Sequence, residues 1–260
     1  MKPEDFLDRI KYNGRIEPDF ESLEALHLAH MYTVPFENLD IRMGIPIELG
    51  FEEFYSKIVD ANRGGFCYEL NGLFGWLLTK IGFEVEMLSA RVYGQDGAPG
   101  PDFDHMLLHV NKEFIADVGF GDSFTRPLKF REGDQEQESG VYRLVSTGNT
   151  WQMERNSGEG FKPQYLFTET PRALNEYEEM CIHQQTSPKS TFTQKVVCSL
   201  ATPNGRITYA NGRTISTVEG EKSEAKVEGI KELATLLENT FGIKLDGGYG
   251  ALLGKAGVAQ

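Results

Sequence analysis

Cysteine is scarce in this chain: three residues in 260, at positions 67, 181 and 198. So small and odd a number excludes the disulfide framework of a small secreted domain. With no CxxC pair and no His/Cys spacing of the zinc type, no metal is expected either. Positive charge is also short, 26 Lys and Arg against 39 Asp and Glu, for a formal net charge of −13. A general nucleic-acid binder or a protein of anionic membrane surfaces needs the opposite balance. Neither partner is expected, and any anionic ligand must find a local basic patch. No span of about 20 apolar residues is present to cross a bilayer. Met1-Lys2-Pro3-Glu4-Asp5 places acidic residues where a secretory leader would carry basic ones before an apolar run. A reducing cytoplasm is the expected compartment. Internal repeats and low-complexity linkers are missing too, which leaves domain breaks soft.

What is present is an ordinary globular composition, long enough for a buried core in one large unit or two to three small ones. The first eighty-odd residues carry helical spacing. Pro3 and Asp5 open a short helix through Ile10. Asp19 or Ser22 opens another, on which Leu23, Leu26, His27, His30 and Met31 recur before Pro35 stops it. His27 and His30 lack a third metal ligand and read as structural. After Pro35-Phe36-Glu37-Asn38-Leu39-Asp40, a loop marked by Gly and Pro leads to a helix over about Phe51–Asp60. From Val85 the period changes to two, with both faces partly apolar, as in a strand covered on both sides. Further strands are expected at His105–Val110, Phe114–Val118, Val141–Ser146, Trp151–Arg155, Gln164–Thr168, Gln194–Leu200, Arg206–Ala210 and Arg213–Thr217. Turns are signalled at Thr147-Gly148-Asn149, Pro203-Asn204-Gly205 and Asn211-Gly212. This pattern describes an antiparallel barrel or sandwich. Glu132–Glu138 reads as a solvated acidic loop. A last helix is expected over about Ala225–Phe241, with Val227, Ile230, Leu233, Leu237 and Phe241 on one stripe and Gly242 ending it. A glycine-rich tail follows from Asp246.

Cys67 stands apart from Cys181 and Cys198, which read as structural, by its context: Arg63-Gly64-Gly65-Phe66-Cys67-Tyr68-Glu69-Leu70-Asn71. Beyond it Leu70, Leu73, Phe74, Leu77, Leu78 and Ile81 keep helical spacing up to Gly82, so the thiol falls at or just before a helix N-terminus. Unpaired N–H groups and the positive end of the dipole favour thiolate there. Gly64 and Gly65 allow a tight turn and a close approach.

A nucleophilic thiol needs a base, and the base an orienting group. His105 and Asp117 can supply them from the outer ends of the expected hairpin, and parity decides whether they meet. If Val110 pairs with Phe114 across a three-residue loop, residue i faces residue 224 minus i. His105 and Asp117 are then diagonal neighbours on one face. Pairing His109 with Glu113 would put them directly opposite, and a two-residue loop would send them to opposite faces. His109 shares the parity of His105, so spacing leaves it open. His105 is preferred because it stands at the mouth of the hairpin behind a flexible loop. Asp117 could alternatively cap a turn before Gly119 and Gly121.

Arg63-Gly64-Gly65-Phe66-Cys67 lies after Pro35-Phe36-Glu37-Asn38-Leu39 and before His105-Met106-Leu107-Leu108, Asp117-Val118-Gly119-Phe120-Gly121 and Ser187-Pro188-Lys189-Ser190-Thr191-Phe192. In this order the chain resembles the arylamine N-acetyltransferase family, over most of its length. The resemblance implies an α+β fold with a cysteine-proteinase-like core. An N-terminal helical bundle over 1–83 carries the nucleophile, and a central antiparallel β-barrel over 84–190 carries His and Asp. A C-terminal α/β lid over 191–260 holds the last helix and the glycine-rich tail. It also implies a Cys67, His105, Asp117 triad, acetyl-CoA as cosubstrate without a metal, and a small aromatic amine or hydrazine as acceptor. The acetyl group would pass by ping-pong transfer through an acetyl-cysteine.

Phe36 and Phe120 match family positions that form the apolar wall for the acceptor, although either could be plain core packing. Arg63 and Glu37 are expected to pair and hold the cysteine loop against the bundle. Lys189, Arg213 or the glycines after Asp117 are candidate partners for the CoA phosphates, and backbone N–H groups near Cys67 for the oxyanion. The competing reading is a cysteine peptidase or a transglutaminase-like amide-processing enzyme. It shares the Cys/His/Asp logic, but its characteristic cysteine contexts are absent.

Overall fold

The computed structural model describes residues 1–253, so the end of the glycine-rich tail lies outside the described residues. Pro3 begins α1 (Pro3–Arg9), where its missing N–H costs nothing. Asp19 caps α2 (Phe20–Thr33) by accepting the Ser22 N–H at 2.9 Å. Val34 then turns extended ahead of Pro35, as a residue before proline must. A two-residue strand, β1 (Phe36–Glu37), and a single-turn helix, α3 (Leu39–Met43), follow. The expected helix from Phe51 to Asp60 divides into α4 (Phe51–Tyr55) and a π-helical turn, Ser56–Asp60. Arg9 ties these pieces together. Its guanidinium donates to the Ile58, Thr33 and Arg63 carbonyls at 2.8, 3.0 and 2.9 Å, satisfying backbone groups at three segment ends. The bundle closes on α5 (Cys67–Ile81), which is buried almost all round and stops at Gly82 in the left-handed region, φ +113°.

An antiparallel sheet of eight strands curls into a nearly closed barrel beside α5. Its strands are β2 (Val85–Val92), β3 (His105–Val110), β4 (Phe114–Ala116), β5 (Leu128–Lys129), β6 (Gly133–Gln137), β7 (Gly140–Ser146), β8 (Trp151–Asn156) and β9 (Phe161–Arg172), in the spatial order β5-β4-β3-β2-β9-β8-β7-β6. Leu88, Leu107, Ile115, Phe124, Tyr142, Leu144, Tyr165 and Phe167 fill the interior. Leu108 faces the bundle instead, and Gly75 of α5 lets the helix approach it: a Cβ there would stand 3.2 Å from Leu108 Cδ2.

The acidic segment expected to be a loop is strand β6, which corrects that reading. Asp134 and Glu136 point to water while Gln135 and Gln137 turn inward to the seam of the barrel. There the two amides stand in for a missing ladder. Gln135 accepts from the Lys129 N–H at 2.7 Å and donates to its carbonyl at 2.9 Å, and Gln137 does the same with Arg126 at 3.1 and 2.8 Å. The period-two signal is present, but it runs in polar residues.

After α6 (Glu178–Thr186) and the short turn α7 (Thr191–Gln194), a second sheet runs β1-β10-β11-β12-β13. It comprises β10 (Val197–Thr202), β11 (Gly205–Ala210), β12 (Arg213–Val218) and β13 (Glu221–Lys226), with α8 (Gly229–Phe241) packed on it and α9 (Tyr249–Leu252) beyond. Asn211 and Gly212, both at positive φ, make the expected two-residue hairpin. The last helix starts later than its apolar stripe suggested, because Ala225 and Lys226 pair with Thr214 and Arg213 as the end of a strand. Ile230, placed on that stripe, is exposed, whereas Leu233, Leu237 and Phe241 are buried. Among the described residues no helix is long and apolar enough to cross a membrane.

Candidate active site

The loop before α5 is built for close approach. A Cβ on Gly64 would lie 2.0 Å from the Pro35 carbonyl oxygen, and one on Gly65 would lie 2.8 Å from Glu69. With glycine at both positions, Glu37 donates its N–H to the Gly65 carbonyl at 2.8 Å, and the loop lies flat against the segment that follows α2. Arg63 and Glu37 do pair, at 2.7 Å, and the pair is part of a larger network. Arg63 also holds Asp40 at 2.8 Å, while Lys57 from the π-helical turn holds Asp40 at 2.7 Å and Glu69 at 2.8 Å. Glu69 completes the circuit by accepting the Phe66 N–H at 3.0 Å, which caps α5 beside the thiol. Burial opposes these charges, yet the carboxylates hold Arg63 and Lys57 above their usual pKa range, and the two cations bring Asp40 below its own. The Glu69 carboxyl is pushed up by burial, with Lys57 pulling against it.

Cys67 is the first residue of α5 and only 3 % exposed. Burial drives its thiol well above the ordinary range, with the Met106 N–H countering and the Asp104 and Asp117 carboxylates adding to the rise. Burial thus works against the thiolate that the helix terminus favours. An isolated thiolate here would be a buried charge, whereas moving the proton to an imidazole on the same cavity would create a pair of no net charge.

His105 opens β3, and Asp117 follows directly on β4. The hairpin takes the first of the registers considered, Val110 opposite Phe114 and Leu108 opposite Ala116. His105 Nε2 stands 2.8 Å from Asp117 Oδ2, both groups being buried. The carboxylate fixes the proton on Nε2 and leaves Nδ1 to act as base. Asp117 Oδ1 accepts from Asn71 Nδ2 at 2.9 Å and from the Gly119 N–H at 3.0 Å. Burial raises the Asp117 carboxyl, but His105 and these donors outweigh it and hold the group below its usual range.

Asn71 was not singled out from sequence, although it is a polar residue four positions after Cys67, between the apolar Leu70 and Leu73. It also donates to the Met106 carbonyl at 2.7 Å and accepts the Val118 N–H at 2.8 Å, so it ties the helix that begins at Cys67 to the segments bearing His105 and Asp117. His27 accepts the Asp117 N–H at 3.2 Å through Nε2, and its Nδ1 lies 2.9 Å from the Thr125 carbonyl. Burial brings its pKa down to about 4, so it is neutral and structural. His109 faces elsewhere, 4.6 Å from the Phe130 ring, with neither nitrogen hydrogen-bonded.

Cys67, His105 and Gly119 line one cavity of about 320 Å³. A Cβ on Gly119 would come 2.8 Å from Cys67 Cα, so that strand end can pass the thiol only as glycine. Phe36 and Phe120 line the same cavity with Phe192, and the Phe120 ring stands edge-on to His105 at 5.2 Å. Phe192 ends the Ser187–Phe192 segment, where no local pattern marks it for a role. The two cations expected from sequence to meet phosphate, Lys189 and Arg213, are exposed and off the cavity, whereas Lys195, not singled out there, lines it. Cys181 and Cys198 are buried, and burial pushes the Cys181 thiol up to about 12. Among the described residues no His, Cys, Asp and Glu cluster has the arrangement of a metal site.

A family model described as N-acetyltransferase matches residues 19–249. Arylamine N-acetyltransferase, pineal gland isozyme, of Gallus gallus is 34 % identical over 95 % of this chain and 95 % of its own length. The crystal structure of an N-arylamine acetyltransferase variant from Mycobacterium smegmatis superposes with a TM-score of 0.90 at 31 % identity, covering 97 % of this chain and 99 % of the other. That of arylamine N-acetyltransferase from Mycobacterium marinum, in complex with CoA, gives 0.89 at 30 % identity, covering 96 % and 97 %.

Proposed function

This chain belongs to the arylamine N-acetyltransferase family, and from that premise we propose that Cys67 carries an acetyl group from acetyl-CoA to a small aromatic amine or hydrazine. The observation that carries this reading is the His105–Asp117 pair at 2.8 Å, on the same cavity as the Cys67 thiol. In the first half-reaction His105 Nδ1 takes the thiol proton and the sulfur attacks the acetyl carbonyl. The C–S bond to CoA breaks, and the CoA sulfur leaves with the proton returned by the imidazolium. In the second, the amine nitrogen attacks the thioester, His105 takes the proton it sheds, and Cys67 is released as the leaving sulfur. Asp117 keeps the imidazole in the right tautomer and stabilises the imidazolium. The Met106 N–H, directed at the sulfur, and the first turn of α5 are the nearest donors for the oxyanion. Phe36, Phe120 and Phe192 offer an aromatic acceptor flat apolar surface, and Lys195 stands where a phosphate could meet a cation.

The test is the intact mass of the protein after brief exposure to acetyl-CoA alone, followed by an arylamine chase. One added acetyl group on the wild type, absent from Cys67→Ser and removed by the amine, is the expected result. Equal labelling of the variant, or none of either, would reject Cys67 as the carrier.

A further inference from the structure

Asp104 immediately precedes β3 and lies half-buried on the wall of the active-site cavity, next to His105. Its Oδ1 accepts from Gln184 Nε2 of α6 at 2.6 Å. The carbonyl end of that amide is already taken, since Ser190 Oγ donates to Gln184 Oε1 at 2.6 Å and itself accepts the Phe192 N–H at 3.2 Å. Every proton in this line therefore points toward Asp104. Such a line suits an ionised carboxylate, which can only accept and binds its donors more strongly than a neutral group does. Burial raises the Asp104 carboxyl, while His105, the Val92 N–H and the Gln184 amide draw it down. Toward the nucleophile this charge is unfavourable: after burial, and with the Met106 N–H opposing, it is the Asp104 carboxylate that most disfavours a thiolate at Cys67. His105 already has Asp117 as its partner. A charge that hinders the thiol, yet is held in place by the buried side chains of Gln184 and Ser190, calls for a role toward the other reactant.

We propose that Asp104 is a specificity-determining residue, its carboxylate selecting acceptor amines that carry positive charge and turning away those that carry a carboxylate. The inference rests on the function proposed above and names the class of acceptor within it. Phe36, Phe120 and Phe192 give the cavity apolar walls, and among the described residues the charged side chains on it, besides His105, are Asp104 and Lys195. Lys195 is exposed and screened by water, whereas Asp104 is backed by the barrel and by Gln184. At about 320 Å³ the cavity is at the small end for a ligand site. A one-ring acceptor held with its nitrogen at Cys67 therefore keeps its other substituents within the field of Asp104. In surroundings less polar than water, a unit charge a few ångströms from a carboxylate gains or loses enough to change affinity more than about tenfold.

The experiment compares para-aminobenzamidine, para-aminobenzamide and para-aminobenzoate, planar acceptors of nearly one shape whose substituents are cationic, neutral and anionic. Acetylation of each is followed at saturating acetyl-CoA with the wild type, Asp104→Asn and Asp102→Asn. Asparagine can still accept from Gln184 and removes only the charge. Asp102 is exposed and off the cavity, so its loss removes the same charge from the chain without altering the cavity wall. The ratio of kcat/KM for the amidine to that for the benzoate should fall about tenfold or more in Asp104→Asn, with the amide between them, and should stay near the wild-type ratio in Asp102→Asn. Using the ratio cancels the different nucleophilicities of the three amines and any general loss of activity. An equal change for all three acceptors in Asp104→Asn, or the same fall in both variants, overturns the proposal. Calorimetric binding of the three compounds to Cys67→Ser, with and without Asp104→Asn, makes the comparison without acetyl transfer. Tighter binding of the benzoate than of the amidine to Cys67→Ser would give the cavity to Lys195 and overturn the proposal, a result that does not depend on Asp104→Asn folding. Tighter binding of the amidine that is lost with Asp104, in a protein whose Cys67 takes no acetyl group, would uphold it and overturn the function proposed above.

Discussion

Asn71 holds Asp117, the Met106 carbonyl and the Val118 N–H at once, from one turn beyond Cys67. A hydrogen bond to a charged group contributes about 1.5–3 kcal/mol. Asn71→Ala should therefore lower kcat/KM for acetyl transfer roughly 10- to 100-fold by loosening Asp117. The acetyl-enzyme should still form, slowly, on the mass assay. Asp117→Asn should cost more, on the order of 10⁴-fold in kcat, because an amide keeps the shape but favours the wrong imidazole tautomer. Steady-state kinetics at saturating acetyl-CoA would check both. The place of Cys67 at a helix start and the meeting of His105 with Asp117 were legible because each stands in a local context that constrains it: a double glycine before a helix, and two positions of like parity on one hairpin. Asn71 was not, because its partners lie 35 to 47 residues away on strands whose approach to α5 no local pattern encodes.

At the scale of elements, the cysteine loop is held by charge. Glu37 and Glu69 are nearly inaccessible, and Arg63 and Lys57 are what make their burial tolerable. Removing one partner of a buried pair typically costs about 3–5 kcal/mol, more than the pair adds over an apolar equivalent. Arg63→Met should lose stability on that order in urea denaturation, and acetylation should fall with it as the loop detaches from β1. Glu37→Gln combined with Arg63→Met should recover part of the loss. The Arg63–Glu37 contact could be foreseen as a pair. Its extension to Lys57 could not, because that side chain is aimed by a π-helical turn that reads in sequence as ordinary helix. Strand β6 was missed for a related reason. Its alternation is carried by glutamines, and hydropathy is blind to an amide that works as a substitute peptide group.

The whole molecule has a built-in response to acid. His27 is held near pKa 4 and His30 well below its ordinary value, both mainly by burial, and His30 sits between the Phe6 and Phe74 rings with no hydrogen bond. A histidine whose folded pKa lies below its unfolded value of about 6.5 binds more protons when unfolded, so stability falls as pH drops below that point. For His27 the loss continues to about pH 4 and amounts to about 3 kcal/mol once complete, each tenfold difference in proton affinity between the two states being worth about 1.4 kcal/mol. Asp117, depressed instead, adds a further loss below the ordinary carboxylate range. Unfolding temperature should therefore decline steeply from pH 6.5 to 4, and His30→Leu should flatten that decline. The α+β layout could be read from periodicity because each layer keeps one period for a long stretch. The edge that joins the layers is only two residues long, below what any period can register.

That edge sets an order of events during synthesis. Phe36 and Glu37 leave the ribosome early, but Ser199 and Cys198, which pair with them, come far later, and Asn38 waits 159 residues for Val197. Until then the nascent chain has the thiol, the imidazole and the carboxylate but lacks the cavity wall formed by Thr191, Phe192, Lys195 and Val197. A translation product halted before residue 191 should carry Cys67 in an open groove, where alkylating reagents and peroxide reach it far faster than in the finished protein.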